Sequence, residues 1–278
     1  MNRLNIACKV ALGSTLAFVV VDLIFATLFT DSVLLWTPAD TQLTTPPSLV
    51  MTAHGCVNKV CAELPTTLVG RIKVNSAINK TLTWRTLEDE LSYVQHGGEW
   101  RPQDSPALCL PRHKVAIIVP YKNREDQLLA FLRHIHPFLQ RQQIHYGIYV
   151  VEQANTTEEF NKGRLMNAGF VEAMRQHNWT CVIFHDVDLL PENDLNTYRC
   201  DLHNVRHMTV AVDRYKYTIG YSAHMGGVVA FTPEQFKTVN GYSNLFWLWG
   251  GEDDDMRNRS AFHTGYEVCE RLVNRTDA

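Results

Sequence analysis

The chain lacks a basic surplus: 278 residues with a formal net charge of -3 do not make a nucleic-acid binder held by bulk electrostatics. It has no His-Glu-x-x-His and no Cys-x-x-Cys, so its 12 histidines, which are scattered, and its 7 cysteines do not spell a zinc site. It also lacks an Ala-x-Ala cleavage signal after its first apolar run, and that run, Val10 to Phe29, is longer than the apolar part of a secretory leader. The run is long enough to cross a bilayer as a helix. Asp22 interrupts it at a cost of roughly 2.5 to 3.5 kcal/mol, which the surrounding Val, Leu, Ile and Phe outweigh. Arg3 and Lys9 precede the run and Asp31 follows it, so the positive-inside rule predicts a single-pass, type II arrangement with the bulk of the chain in a lumen. The expected organisation is a cytosolic tail over 1–9, a membrane anchor over 10–29, a stem over 30–55 that includes Pro38, Pro46 and Pro47, and a lumenal domain over 56–278.

The cysteines fit such an oxidising compartment, although spacing alone leaves their pairing open. Asn-x-Ser/Thr sequons at Asn79, Asn155, Asn178, Asn258 and Asn274 agree with the secretory route.

From Val115 onward, strands alternate with helices. The apolar runs Val115–Val119, Tyr146–Val151, Cys181–Phe184, Met208–Val212 and Gly226–Phe231 read as strands, the first ended by Pro120. Leu128, Leu132, Ile135 and Leu139 recur at helical spacing between Arg124 and Gln142, and a second helix is expected from Lys162 or Arg164 to about His177. Thr232, Pro233 and Gln235 carry the signature of a capped helix start. This alternation predicts an α/β fold with a largely parallel central sheet.

In such sheets ligands collect at the carboxyl ends of the strands. Asp186-Val187-Asp188 leaves one strand there, and paired carboxylates suit Mg²⁺ or Mn²⁺ shared with the phosphates of a substrate. Lys122 and Arg124 leave a sister strand, and two cations suit a diphosphate. A second cluster, Phe246-Trp247-Leu248-Trp249-Gly250-Gly251-Glu252-Asp253-Asp254-Asp255, sets aromatic rings beside two glycines and four acids. Rings stack on the apolar face of a hexose, and a carboxylate can accept its hydroxyls or take a proton from one. A solvated acidic helix start would account for Asp254 and Asp255, but it leaves the tryptophans unexplained.

Taken together, Pro120-Tyr121-Lys122-Asn123-Arg124, Phe160-Asn161-Lys162, Asp186-Val187-Asp188 and above all Trp249-Gly250-Gly251-Glu252-Asp253-Asp254 resemble the β-1,4-galactosyltransferase family, over about Cys61 to Gly265. The resemblance implies a GT-A type nucleotide-sugar fold in a Golgi membrane enzyme that uses Mn²⁺. It implies inverting β-1,4 transfer of galactose, or N-acetylgalactosamine, from a UDP-sugar to a GlcNAc-terminated glycan, and it allows a homodimer. By the same resemblance, Pro120, Tyr121, Lys122, Arg124, Phe160, Asn161, Lys162, Asp186, Val187 and Arg214 would meet the donor, and Asp188 the metal. Trp249 would close on the donor, while Gly250, Gly251, Glu252, Asp253 and Asp254 would face the sugars, with Asp253 as the base and Glu252 beside it. Disulfides Cys61–Cys109 and Cys181–Cys200 are implied as well, with Cys56 and Cys269 unassigned.

Two departures stand out. His224 occupies a donor-specificity position that is Tyr in galactose-transferring members and a smaller aliphatic residue in members that use GalNAc. The family also draws a Met and a His ligand for its metal from a segment later than Ala278, and His263 is misplaced for that role, so it is expected to be an ordinary helix residue. On this reading the chain is a C-terminally truncated form, and a catalytically inactive Golgi resident that binds UDP-sugar weakly or pairs with a full-length partner is the alternative to an active transferase.

Overall fold

Five consecutive apolar residues, Val115–Val119, have no exposed surface, and the molecule is layered around them. The structure, a computed structural model, describes residues 59–74, 82–94, 98–105, 109–154, 157–219, 221, 223–263 and 265–270. It also describes four short strands nearer the N-terminus: Asn5–Ala7, Val20–Asp22, Met51–Thr52 and Gly55–Cys56. The main sheet has seven strands: β1 Glu99–Trp100, β2 Lys114–Tyr121, β3 His145–Glu152, β4 Cys181–His185, β5 Val205–His207, β6 Val228–Phe231 and β7 Val268–Glu270. Their spatial order is β7-β5-β6-β4-β2-β3-β1.

Period-two alternation divides β2 between two layers. Val115, Ile117 and Val119 pack with Leu128, Phe131, Leu132 and Ile135 of helix α2, Glu125–Arg141, after the short helix α1, Trp84–Glu90. Ala116 and Ile118 face the opposite way, toward Leu165, Met166 and Phe170 of α3, Lys162–Gln176. With both faces covered, the central strands have no polar side to offer water, which is why they read as unbroken apolar runs. Gly169 lets α3 lie close to the sheet: a Cβ there would stand 2.6 Å from Ile118 and 2.7 Å from Val151.

The sheet is mixed, and this corrects the expectation of a largely parallel one. β2 is parallel to β3 and β4, but β6 runs antiparallel to β4 and to β5, and β1 antiparallel to β3. Among the described residues no crossover helix lies between β4 and β6; the long excursion from Asp186 to Gly227 brings the chain back in the opposite sense. The strand expected at Met208–Val212 is instead Val205–His207. Its ladder stops at Thr209, where the side-chain hydroxyl accepts the Val228 N–H at 2.7 Å in place of a backbone carbonyl. Pro120 does not end β2 either. Pairing with β4 finishes at Ile118–Phe184, so Pro120 is paired on the β3 side alone, where its missing N–H breaks no shared ladder.

Thr232 caps α4, Pro233–Thr238, through the expected capping box with Gln235. Helix α5 spans Glu252–Asn258 and runs into a π-helical turn, Arg259–His263, which contains His263 as a helix residue. Cys61 is bonded to Cys109 and Cys181 to Cys200. The segments 1–9, 10–29 and 30–55 lie outside the described residues except for the short strands named above, and of the expected membrane span only Val20–Asp22 is described, as a strand paired with Asn5–Ala7. Among the described residues no helix is long and apolar enough to cross a membrane.

Candidate active site

Two strand ends meet as their register requires. β2 delivers Pro120 and Tyr121, then Lys122 and Asn123; the latter takes a φ of 50°, a left-handed conformation that Asn tolerates well, and turns the chain into α2. Arg124 stands at the N-cap of α2, and its Nη1 lies 2.7 Å from Asp188 Oδ2 beyond the end of β4. Both side chains are about half exposed, at 52% and 48%, and such pairs contribute only about 0 to 1 kcal/mol. An anion can therefore claim the guanidinium, and a cation the carboxylate, at little cost. Val187 between the two aspartates is buried. Lys122 turns its ammonium to the Glu158 carbonyl.

The start of α3 supplies the central cation. Asn161 caps the helix by accepting the Arg164 N–H at 2.9 Å, and its own amide donates to the Asn244 carbonyl at 2.9 Å. The cap fixes Lys162, whose Nζ lies 2.7 Å from Asp186 Oδ1 and 3.3 Å from Glu252 Oε1. Burial alone would lower the lysine pKa, but the two carboxylates outweigh it and hold the ammonium well above its ordinary range. One cation thereby ties the β4 end, the α3 start and the α5 start together.

The third component is the acidic helix start. Leu248 at φ 69°, Gly250 at 91° and Gly251 at 95° bend the chain sharply before α5. A Cβ on Gly251 would stand 2.6 Å from the Phe246 ring, so close approach as well as φ requires glycine. Trp247 lies under the Arg164 guanidinium at 4.9 Å, and the Leu248 N–H donates to the Phe160 carbonyl at 2.8 Å, whereas Trp249 is 93% exposed. The four acids of the first turn face a favourable helix dipole but have different partners. Glu252 is buried against Lys162, Asp254 accepts the Tyr221 hydroxyl at 2.6 Å, and Asp255 is held by Arg259 at 2.7 Å. Asp253 accepts only the Asp254 N–H, at 3.0 Å; among the described residues it is the one acid of the four that meets neither a cation nor a hydroxyl. Its Oδ2 packs on Gly226, where a Cβ would come within 2.5 Å of it and within 2.8 Å of His224. His224 and Asp253 thus lie on the same glycine, and the His224 ring is edge-on to His207 and Tyr221.

Arg214 is not gathered into this cluster. It lies on an exposed turn, Asp213–Tyr215, with its guanidinium 5.6 Å from the Tyr215 ring centre. Two contributors were not legible in the sequence. Tyr221 caps Asp254, and neither its spacing nor its composition announces that. His185 lies buried beneath Asp186: Nδ1 donates to the Asp186 carbonyl at 2.8 Å, which leaves Nε2 to accept the Tyr198 hydroxyl at 2.8 Å. Burial pushes the imidazole down to about 4, so it supports the strand end as a neutral group. The apolar run that ends in His185 was the available signal. As a metal site the donor set is partial. Asp186 and Asp188 offer hard oxygen atoms, and no group of three or more ligating side chains is assembled among the described residues. This fits an ion that completes its shell with phosphate and water.

The N-terminal region of glycosyl transferase group 7 matches residues 61–201, and the N-terminal domain of galactosyltransferase matches 206–276. β-1,4-Galactosyltransferase 5 of Danio rerio is 46% identical over 213 residues, 76% of this chain and 54% of that protein. Human β-1,4-galactosyltransferase 4 is 52% identical over 162 residues, 58% of this chain and 45% of its own length. The chain spans about half the length of the curated relatives it matches. Among solved structures, a mutant of Drosophila β-1,4-galactosyltransferase 7 in complex with manganese, UDP-Gal and xylobiose superposes with a TM-score of 0.53 at 33% identity, over 59% of this chain and 66% of that one.

Proposed function

Because the chain belongs to glycosyl transferase group 7, the family of the β-1,4-galactosyltransferases, we propose that this cleft transfers galactose from UDP-galactose to a sugar hydroxyl, with inversion and in β-1,4 linkage. The observation that carries the reading is Lys162, one half-buried ammonium joining the Asp-x-Asp strand to the Trp-Gly-Gly-Glu-Asp-Asp helix. Donor-facing and acceptor-facing groups therefore share one rigid junction. Arg124 and Lys122 stand at the strand edge where the diphosphate would lie, Asp188 would hold Mn²⁺, and Asp186, held by Lys162, would meet the donor. When bound, the ion supplies neutralising charge to the diphosphate.

Asp253 takes the proton of the acceptor hydroxyl as that oxygen attacks the anomeric carbon and UDP departs from the opposite face. Its lack of a cationic partner suits it to the task, since a carboxylate bound to lysine or arginine is a poorer base. Trp249, exposed and hinged by residues of positive φ, is the ring available to cover the bound sugars, and His224 beside Asp253 shapes the donor pocket. A GlcNAc-terminated glycan is the acceptor implied by the motif. A lumenal, membrane-anchored setting in the Golgi completes the reading; the two disulfides and the apolar stretch from Val10 to Phe29 support it.

The test is transfer from UDP-galactose and UDP-N-acetylgalactosamine to one GlcNAc acceptor, with and without Mn²⁺, alongside Asp188→Ala. Metal-dependent galactose transfer lost in the variant is the expected result. Absence of turnover with either donor, in protein that still binds UDP, would favour an inactive nucleotide-sugar binder instead.

A further inference from the structure

We propose that Asn178 carries an N-linked oligosaccharide and that the sequon at Asn258 remains unmodified. This rests on the lumenal setting proposed above. Both sequences satisfy the same pattern, Asn178-Trp179-Thr180 and Asn258-Arg259-Ser260, and both asparagines are exposed, yet the fold leaves the hydroxyl residue of the first at the surface and buries that of the second. Between α3 and β4 the chain alternates: Asn178 and Thr180 are exposed, while Trp179 is buried, its Nε1 donating to the Tyr149 hydroxyl at 3.0 Å. The buried indole pins the turn and presents the Asn178 amide to solvent, and Thr180 beside it stays exposed even though its hydroxyl donates to the Lys114 carbonyl at 3.2 Å and accepts the Lys114 N–H at 3.3 Å. No hydrogen bond holds the Asn178 amide among the described residues, and its Nδ2 is free to become the glycosyl acceptor.

Asn258 is the last residue of α5, and the π-helical turn follows at once. Its partner Ser260 has no exposed surface, and the hydroxyl is bound to the Met256 carbonyl at 2.9 Å. An extended presentation of this sequon would unwind both turns and pull Ser260 out of the core. Asn79, Asn155 and Asn274 lie outside the described residues.

Position also favours Asn178. The Thr180 N–H donates to the Lys114 carbonyl at the start of β2, so the sequon sits at the end of the sheet opposite Asp186. The five residues Cys181–His185, at about 3.3 Å each, place roughly 16 Å of strand between a glycan and the cleft. A bulky hydrophilic chain there would cover polar loop surface and leave the cleft open. The modification forms a bond from Asn178 Nδ2 to the first sugar's anomeric carbon; the amide loses one proton, and a polyprenyl diphosphate carrier leaves.

The full chain, expressed in a secreting eukaryotic cell, is digested and its glycopeptides are read by mass spectrometry before and after enzymatic deglycosylation. Occupancy is expected at Asn178 and not at Asn258. Asn178→Gln and Thr180→Ala each lose one glycan's mass, Ser260→Ala loses none, and Thr180→Ser, which keeps the hydroxyl bonds, retains the glycan. An empty Asn178 with Cys61–Cys109 oxidised overturns the assignment while sparing the lumenal reading, as does occupancy at Asn258. An empty Asn178 with those cysteines reduced overturns both.

Discussion

One half-buried ammonium, that of Lys162, holds two carboxylates that would otherwise repel each other. Lys162→Met leaves them facing without a counter-charge, and because Lys162 and Asp186 keep part of their surface in water the loss is expected to be about 1 to 3 kcal/mol, below that of a fully buried pair. A drop of about that size in urea-unfolding free energy is expected, together with loss of UDP binding. Asp253→Asn changes no ion pair, so folding and donor affinity stay near the parent values while kcat falls about 10²- to 10⁴-fold. A matching fall in donor affinity would remove Asp253 from the role of base. The pattern of acids was plain in the sequence, but their division of labour was not. Four consecutive carboxylates look alike until Lys162, Tyr221 and Arg259, contributed by other parts of the chain or the next helical turn, each claim one.

Elements determine where those side chains lie. Helix α3 rests on β2 and β3 through Gly169, and a methyl group there collides with Ile118 and Val151. Gly169→Ala is therefore expected to destabilise by about 1 to 3 kcal/mol and, by lifting the α3 start that carries Lys162, to raise the donor KM. Chemical denaturation and initial-rate kinetics read the two effects separately. The central strands and α2 through α4 were legible because their periodicities are strong and their caps are local. The mixed direction of the sheet was not. β6 is as apolar as a parallel strand because it too is covered on both faces, and strand direction leaves no mark on hydrophobic pattern. Thr209, which ends β5 with its hydroxyl, reads as an ordinary strand residue until the partner N–H is placed.

For the molecule as a whole, acid is the weak side. Burial pushes His136 down to about 3 and His185 to about 4 from an ordinary 6.5, and the hydrogen bond from His145 brings Glu99 to about 2 against the opposing effect of its burial. The unfolded chain binds protons at these sites before the folded one does, so stability is full above pH 6.5 and is lost on acidification. Each histidine contributes a slope of about 1.4 kcal/mol per pH unit down to its folded value. Urea midpoints measured between pH 7 and 4 should fall, with a shallower slope in His136→Gln. The Cys61–Cys109 bond, spanning 48 residues, stabilises by about 4 kcal/mol in the chain-entropy account, and Cys109→Ser should lower the urea midpoint accordingly.

The sheet order also sets a timetable. β4 lies beside β2 but follows it only after α2, β3 and α3, and β6 needs β4 as its template. The Asp-x-Asp edge thus depends on contacts distant in sequence, and it is expected to form late in folding. Pairings so remote in sequence form slowly and leave sticky strands exposed in the meantime. Slow refolding, with yield falling as protein concentration rises, is the expected consequence, and light scattering during dilution from urea measures it.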